Sequence, residues 1–91
     1  MAAIQEQIEI INKLGLHARA AAKLVGVATA FKSRIRIGKP EKMVDSKSIM
    51  AVMMLAASKG STLILEVEGD DADQATQAII TLVNNRFDED E

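Results

Sequence analysis

Three short segments of the chain alternate apolar with polar residues, and this pattern restricts the possible folds more than any other feature. In residues 33–38, for example, Ile35 and Ile37 alternate with two arginines. Because successive side chains of a strand point to opposite faces, such a segment predicts a strand with one apolar and one polar face. Turn residues at 38–41 predict that residues 42–45 pair back as a further strand. The predicted strands are residues 4–11, 33–38, 42–45 and 61–68.

Segments with helical periodicity separate these strands and follow the last of them. Residues 17–30 repeat apolar residues at intervals of three and four, which predicts a helix with one apolar face. Residues 49–57 predict a short helix that begins after capping residues and ends before Gly60. A last helix begins after Gly69 and has one apolar stripe, formed by Ala72, Ala75, Ile79, Leu82 and Val83.

The resulting order βαββαβα predicts a single α+β domain over residues 1–91. Strands with one apolar face pack most simply as a four-stranded antiparallel sheet with three helices on one face, an open-faced sandwich. A ferredoxin-like domain shares the first six elements and is the alternative fold. The acidic tail, residues 88–91, is expected to be solvated rather than docked. The open face carries charges that can pair across strands, at Glu9, Arg34, Arg36, Glu66 and Glu68.

Composition excludes several classes of function. A net charge of -2 and only two aromatic residues argue against a nucleic-acid partner. One histidine and no cysteine leave too few ligands for a metal centre. The five glycines are isolated from one another, so neither a phosphate-binding loop nor a dinucleotide fingerprint is present, and we expect no cofactor.

The chain shows no targeting signal. Its first ten residues lack a basic stretch followed by an apolar one, and no apolar run approaches the length of a membrane span. The absence of cysteine suits a reducing compartment. We therefore expect a soluble cytoplasmic protein that binds no membrane.

The single histidine, His17, lies where the first predicted strand gives way to a helix, and Arg19 follows two residues later. Near neutral pH an imidazole is largely uncharged and nucleophilic, while the N-terminus of a helix attracts anions. The guanidinium of Arg19 suits phosphate oxygens. The pair predicts a phosphoryl-accepting histidine, and the alternative is a solvated loop or capping residue.

The second predicted helix has more apolar residues than a core-facing stripe requires. Val52 and Leu55 suffice for the stripe, which leaves Ile49, Met50 and Met53. Apolar side chains left on a helix surface indicate a protein docking surface, and flexible methionine suits several partners. The alternative is that the methionines fill the core.

Two separate motifs resemble the HPr family, the small phosphocarriers of the bacterial phosphotransferase system. They are NKLGLHAR at residues 12–19 and KSIMAVM at residues 47–53, and the similarity extends over essentially the whole chain. The resemblance implies a phosphoryl group accepted on Nδ1 of His17 from enzyme I and passed to an enzyme IIA-type acceptor. It gives Arg19 the role of stabilising the phosphate. It also matches Ser48 to a serine that HPr kinase modifies in some bacteria.

Such a carrier needs a modest docking surface that donor and acceptor share, and we expect a monomer. The start of the first helix and the second helix would form this surface, with Ala18, Ala20, Ile49, Met50 and Met53 as contacts. Ala20 replaces the proline that usually follows the arginine in this family, which puts the rigidity of the loop in question. Together with the acidic end and the methionine-rich helix, Ala20 resembles the nitrogen-related branch, NPr.

Three alternatives to a phosphocarrier of the nitrogen-related branch remain open. The chain could be a sugar-transport HPr. It could be a regulator that binds targets according to its phosphorylation state, without passing on the phosphoryl group. It could also be a ligand-sensing domain of the ferredoxin-like class. Neither the carrier nor the regulator is an enzyme.

Overall fold

The computed structural model describes residues 3–91, so the first two residues of the predicted domain lie outside it. Its strands and helices follow the predicted order. Within the described residues no helix is long and apolar enough to span a membrane. The elements are β1 (Ile4–Glu9), α1 (Ala18–Ala28), β2 (Arg34–Lys39), β3 (Lys42–Asp45), α2 (Ile49–Met54), β4 (Thr62–Glu68) and α3 (Ala72–Asn84), followed by a single turn at Arg86–Asp88.

The four strands form one antiparallel sheet in the order β1-β4-β2-β3. Strand β4 lies in the middle, where Val67 is opposite Ile4 on one side and Ile35 on the other. The inner side chains of β2 and β4 are buried, as their alternation predicts. The helices cover this apolar face, which gives the predicted open-faced sandwich.

The apolar faces of the helices complete the core. Leu24 of α1 is fully buried, and burial of a leucine contributes about 1.5–3 kcal/mol to folding. All five residues of the predicted stripe of α3 are buried. Helix α2 buries only Val52, because it has only six residues.

The outer face of the sheet carries the expected charges, and one opposite-charge pair joins neighbouring strands. Arg36 donates to the carboxylate of Glu66 at 3.3 Å, and Arg34 is opposite Glu68 in the register of β2 and β4. Glu9 is opposite Thr62, so one ion pair among these predicted charges, Arg36 with Glu66, is formed in the described residues.

Helix α2 ends earlier than predicted, at Met54 rather than at residue 57. Ala56 has a positive φ of 49°, which ends the helix. The following carbonyl, that of Ala57, accepts a hydrogen bond from the N–H of Leu16 at 2.9 Å. The helix is therefore shortened by a contact with a loop that is distant in sequence.

The prediction that the acidic tail is solvated rather than docked is wrong in part. Asp88, Asp90 and Glu91 are exposed, but the tail contacts α1 and the loop before it. Phe87, directly before it, is fully buried. Asp88 pairs with Lys23 at 3.3 Å, and Glu91 pairs with Lys13 at 3.4 Å. A run of like charges indicates solvation only if no opposite charge faces it, and here lysines from the loop and from α1 do so.

Candidate functional site

The loop between β1 and α1 is fixed by Asn12, which is fully buried. Its Nδ2 donates to the carbonyl of Gly15 at 2.8 Å and to Oε1 of Glu89 at 3.0 Å. Because both partners are hydrogen-bond acceptors, the amide nitrogen of Asn12 faces them, not the amide oxygen. The loop and the tail are thereby held by one side chain.

Gly15 is required where this loop meets the segment after α2. Its φ is +68°, and a Cβ there would overlap the carbonyl oxygen of Ala57 and lie 2.9 Å from Cα of Ser58. Only glycine permits both the conformation and the close approach. The loop therefore enters α1 in a fixed orientation.

His17 is the N-cap residue of α1, with its backbone extended. Its carbonyl accepts from the N–H of Ala21 at 2.8 Å, the first hydrogen bond of the helix. The N–H groups of residues 18–20 have no acceptor within the helix. The side chain of His17 lies beside these free donors, at the positive end of the helix dipole. The imidazole is partly exposed, with 29% of its side chain accessible.

The imidazole is held at one of its two nitrogens. Nε2 of His17 contacts Oε2 of Glu89, a residue 72 positions further along the chain. Nδ1 has no hydrogen bond to any of residues 3–91. Since a carboxylate accepts hydrogen bonds, this arrangement places the proton of the neutral ring on Nε2 and the lone pair on Nδ1.

Glu89 is ionised in this environment. Burial raises the pKa of Glu89, whereas the hydrogen bonds from Asn12 and His17 lower it. The electrostatic interactions with His17 and Arg19 lower the pKa of Glu89 further, and the net result is a pKa below the ordinary value of a glutamate. The side chain is 16% exposed.

Arg19 supplies a cationic group beside the histidine. Its exposed side chain and the acidic tail line the same open cleft. An arginine fork and the free N–H groups of a helix N-terminus both bind phosphate oxygens. The site therefore combines an unbonded imidazole nitrogen with groups of the kind that bind phosphate oxygens.

Comparison with known proteins agrees with this chemistry. The family described as "PTS HPr component phosphorylation site" matches residues 4–85. The chain belongs to the HPr family. It is accordingly a phosphocarrier rather than an enzyme.

Relatives of the HPr family cover nearly the whole chain. The phosphocarrier protein HPr of Pseudomonas aeruginosa is 62% identical over 93% of this chain and 96% of its own length. The phosphocarrier protein NPr of Shewanella violacea is 44% identical over 98% of both chains. The crystal structure of HPr-C-His from Thermoanaerobacter tengcongensis superposes with a TM-score of 0.92 at 43% identity, covering 97% of this chain and 99% of that one. This structural match supports the HPr fold and excludes the ferredoxin-like alternative.

The structure places the predicted residues of α2 as follows. Ser48 is the N-cap residue of α2, and its Oγ accepts from the N–H of Ala51 at 3.3 Å, so its predicted capping role is confirmed. Ile49, Met50 and Met53 are exposed. Met54, which the sequence analysis omitted, is exposed as well. We call Ile49, Met50, Met53 and Met54 the α2 patch.

Of the two residues expected to dock partners from α1, Ala18 is exposed and Ala20 is fully buried. The prediction for Ala20 is wrong, because this position faces the core side of α1 and its methyl group cannot contact a partner. Its backbone N–H remains one of the free donors of the first turn. Alanine in place of the family's proline therefore changes the backbone N–H at this position and the packing of α1, and it does not change a side-chain contact with a partner.

Sequence reasoning missed two residues of the site, Asn12 and Glu89. Asn12 is the first residue of the motif at residues 12–19, but an asparagine after a strand is an ordinary turn residue and indicated no role of its own. Glu89 is one of four consecutive acidic residues, and nothing in the sequence distinguishes it from the others. Glu89 lies beyond residues 4–85, the part that the family match covers. Only the folded chain brings these two residues to His17.

Proposed function

We propose that this protein accepts a phosphoryl group on Nδ1 of His17 from phosphorylated enzyme I and passes it to an enzyme IIA-type protein. The observation that carries the proposal is the state of the imidazole. It is partly exposed at a helix N-terminus, with Nε2 held by Glu89 and Nδ1 unbonded. A phosphohistidine must be reached by both donor and acceptor, and this position is open to both.

The transfer needs positioning and charge stabilisation more than further catalytic groups. The lone pair of Nδ1 forms the new N–P bond while the N–P bond of the donor phosphohistidine breaks and its electrons return to the donor nitrogen. The proton on Nε2 stays in place during this step. Arg19 and the N–H groups at the start of α1 offset the charge of the arriving phosphoryl oxygens.

We propose that the α2 patch and Ala18 form the docking surface for both partners. Met50 and Met54 have 69% and 65% of their surface exposed, which is unusual for large apolar side chains with no partner in the described residues. Helix α2 packs against α1, the helix that His17 caps, so the patch lies on an element next to the site. One surface can therefore serve donor and acceptor in turn.

A regulatory role of Ser48 forms a further part of the proposal. Phosphorylation by HPr kinase would add about -1.5 to -2 charges at the start of α2, directly before Ile49 and Met50. The same dipole that favours Ser48 as a cap tolerates this charge, so the helix would stay folded. The modification would instead weaken docking of enzyme I.

We assign the protein to the nitrogen-related branch, acting as a cytoplasmic monomer. Three features support the branch: Ala20 in place of proline, the acidic end, and the methionine-rich α2. The test presents the phosphorylated protein with enzyme IIA of the nitrogen-related branch and with enzyme IIA of a sugar transporter. Faster transfer to the first supports the branch, and faster transfer to the second makes the protein a sugar-transport HPr.

The proposal as a whole is tested by incubation with enzyme I and phosphoenolpyruvate, followed by intact mass and acid-lability measurements. We expect one acid-labile phosphoryl group on the wild type and none on His17→Gln. Adding an enzyme IIA-type protein should then discharge the label. A labelled protein that binds its targets but transfers nothing would make it a regulator instead, and a label that persists on His17→Gln would exclude His17 as the acceptor.

A further inference from the structure

We propose that Glu89 is a positioning residue for phosphoryl transfer, which holds the Nε2–H of His17 so that Nδ1 carries the lone pair and faces the donor. This inference rests on the function proposed above. It assigns a role to a residue of the tail, outside the part of the chain that the family match covers.

Both oxygens of the Glu89 carboxylate are engaged in the site. Oε2 contacts Nε2 of His17, and Oε1 accepts from Nδ2 of Asn12 at 3.0 Å. Asn12 is itself fixed, because it is fully buried and also bonded to the carbonyl of Gly15. A reactive side chain held by a second group, which a third group orients, is the general arrangement of an activated nucleophile.

The backbone conformation and the ion pairs of the tail place Glu89 beside His17. Arg86, Phe87 and Asp88 all have positive φ angles, between 54° and 62°, which is unfavourable for residues other than glycine. Such a conformation persists where the surroundings fix it, and here Phe87 is fully buried in the core. Ion pairs of Asp88 with Lys23 and of Glu91 with Lys13 hold the tail on either side of Glu89.

The contact has a direct chemical consequence for transfer to Nδ1. A neutral imidazole exists as two tautomers, and only the form protonated on Nε2 has its lone pair on Nδ1. An acceptor at Nε2 favours that form. Once Nδ1 has bonded to phosphorus, the ring carries positive charge with its proton still on Nε2, and the carboxylate stabilises that charge as an aspartate stabilises the imidazolium of a serine protease.

The opposite reading is that Glu89 obstructs the histidine. Its carboxylate is negative and close to the place where an anionic phosphoryl group arrives, so it could slow docking by repulsion. The two readings predict opposite effects of removing the charge, and the same variant therefore decides between them.

The experiment compares the wild type with Glu89→Gln, Glu89→Asp and the matched control Glu41→Gln, which makes the same change at an exposed position in the turn between β2 and β3, outside the cleft. The ¹⁵N chemical shifts of the His17 ring, recorded at a pH where the ring is neutral, report the tautomer. Steady-state kinetics with enzyme I, in which this protein is the varied substrate, separate kcat from KM.

We expect Glu89→Gln to shift the ring towards a mixture of tautomers and to lower kcat about tenfold with little change in KM, because a charged hydrogen bond is lost. Glu89→Asp should have a tautomer ratio and a kcat between those of Glu89→Gln and the wild type, and Glu41→Gln should resemble the wild type. An unchanged tautomer in Glu89→Gln, or a kcat that is unchanged or raised, would overturn the proposal.

The tautomer measurement needs no enzyme I, so it also separates this inference from the proposed function. If the wild type is not phosphorylated on His17 but Glu89→Gln alters the tautomer, the proposed function fails while the positioning contact stands. If phosphorylation occurs and the tautomer of Glu89→Gln equals that of the wild type, only the inference fails.

Discussion

The outer face of the sheet and the end of the molecule formed by α1 and α2 are both exposed. They differ in their side chains: the sheet face has a charged pair within the protein, whereas α2 has apolar side chains that nothing in the described residues covers. On the sheet, Arg36 pairs with Glu66 across neighbouring strands. On α2, Ile49, Met50 and Met53 project from the surface without such partners. Exposed charges on a sheet face are ordinary, whereas exposed large apolar side chains grouped on one helix indicate binding.

This contrast fits a phosphocarrier of 91 residues. In the proposed function the chemistry requires one accessible histidine, and the proposed docking surface on α2 and Ala18 selects the partners. The outer face of the sheet has no part in that proposal.

The largest effect should follow from placing a charge on the α2 patch. Met50→Glu should raise the KM for enzyme I about tenfold or more, because truncation or alteration of a central interface residue commonly costs about 2 kcal/mol or more. The free energy of unfolding should change by less than about 0.5 kcal/mol, since the side chain is exposed. Kinetics of enzyme I-dependent labelling and urea denaturation measure the two quantities.

Gln77→Glu is the matched control, because it adds the same charge at an exposed position of α3. It should leave both quantities unchanged. A large loss of stability in Met50→Glu would place this methionine in the core, and equal KM values for both variants would remove the α2 patch from the interface.

A smaller effect is expected at the start of α2. Ser48→Asp should lower the rate of labelling several-fold by weakening docking, with stability unchanged or slightly raised, since aspartate also caps helices. Ser48→Ala should instead keep the rate and lose about 1 kcal/mol of stability, because the hydrogen bond from Ala51 is lost. Labelling rates equal to wild type in Ser48→Asp would leave Ser48 as a cap with no regulatory role.

The fold and part of the site could be predicted because their signals are local. Alternation defines the strands, periodicity defines the helices, and His17 and Ser48 occupy helix starts that the adjacent residues mark. Each of these inferences needs only a short segment of sequence. The same alternation places Arg36 and Glu66 on the outer face, but the register that sets them opposite each other comes from the folded sheet.

The remainder depends on contacts between distant segments. Glu89 reaches His17 over 72 positions, and a run of acidic residues contains nothing that distinguishes this glutamate from its neighbours. The burial of Ala20 and the early end of α2 depend likewise on how α1 and the loop after β1 pack. Such facts become visible only when the chain has folded.

Acid should affect the site through Glu89. Its pKa is lowered in the folded protein, so its contact contributes fully above the ordinary pKa of a glutamate and is lost as the pH falls through the lower, folded-state pKa. The groups that face it are His17, Asn12 and Arg19. We expect the tail resonances to lose their dispersion in that acidic range before the sheet unfolds. Release of the tail near neutral pH would contradict this.

The smallest effect is expected on the sheet face. Glu66→Gln removes one charge of the pair with Arg36, which is partly exposed and worth about 1 kcal/mol or less. Labelling by enzyme I and transfer to the acceptor should match the wild type. A slower transfer in this variant would mean that the sheet face also binds a partner, and the contrast between the two surfaces would no longer hold.

The most direct test of the account is to locate the phosphoryl group itself. The ¹⁵N-labelled protein is phosphorylated with enzyme I and phosphoenolpyruvate, and the ring nitrogens of His17 are observed by their coupling to phosphorus. The account predicts a single phosphoryl group, bonded to Nδ1, with a proton on Nε2. A phosphoryl group on Nε2, on another residue, or on none would contradict it.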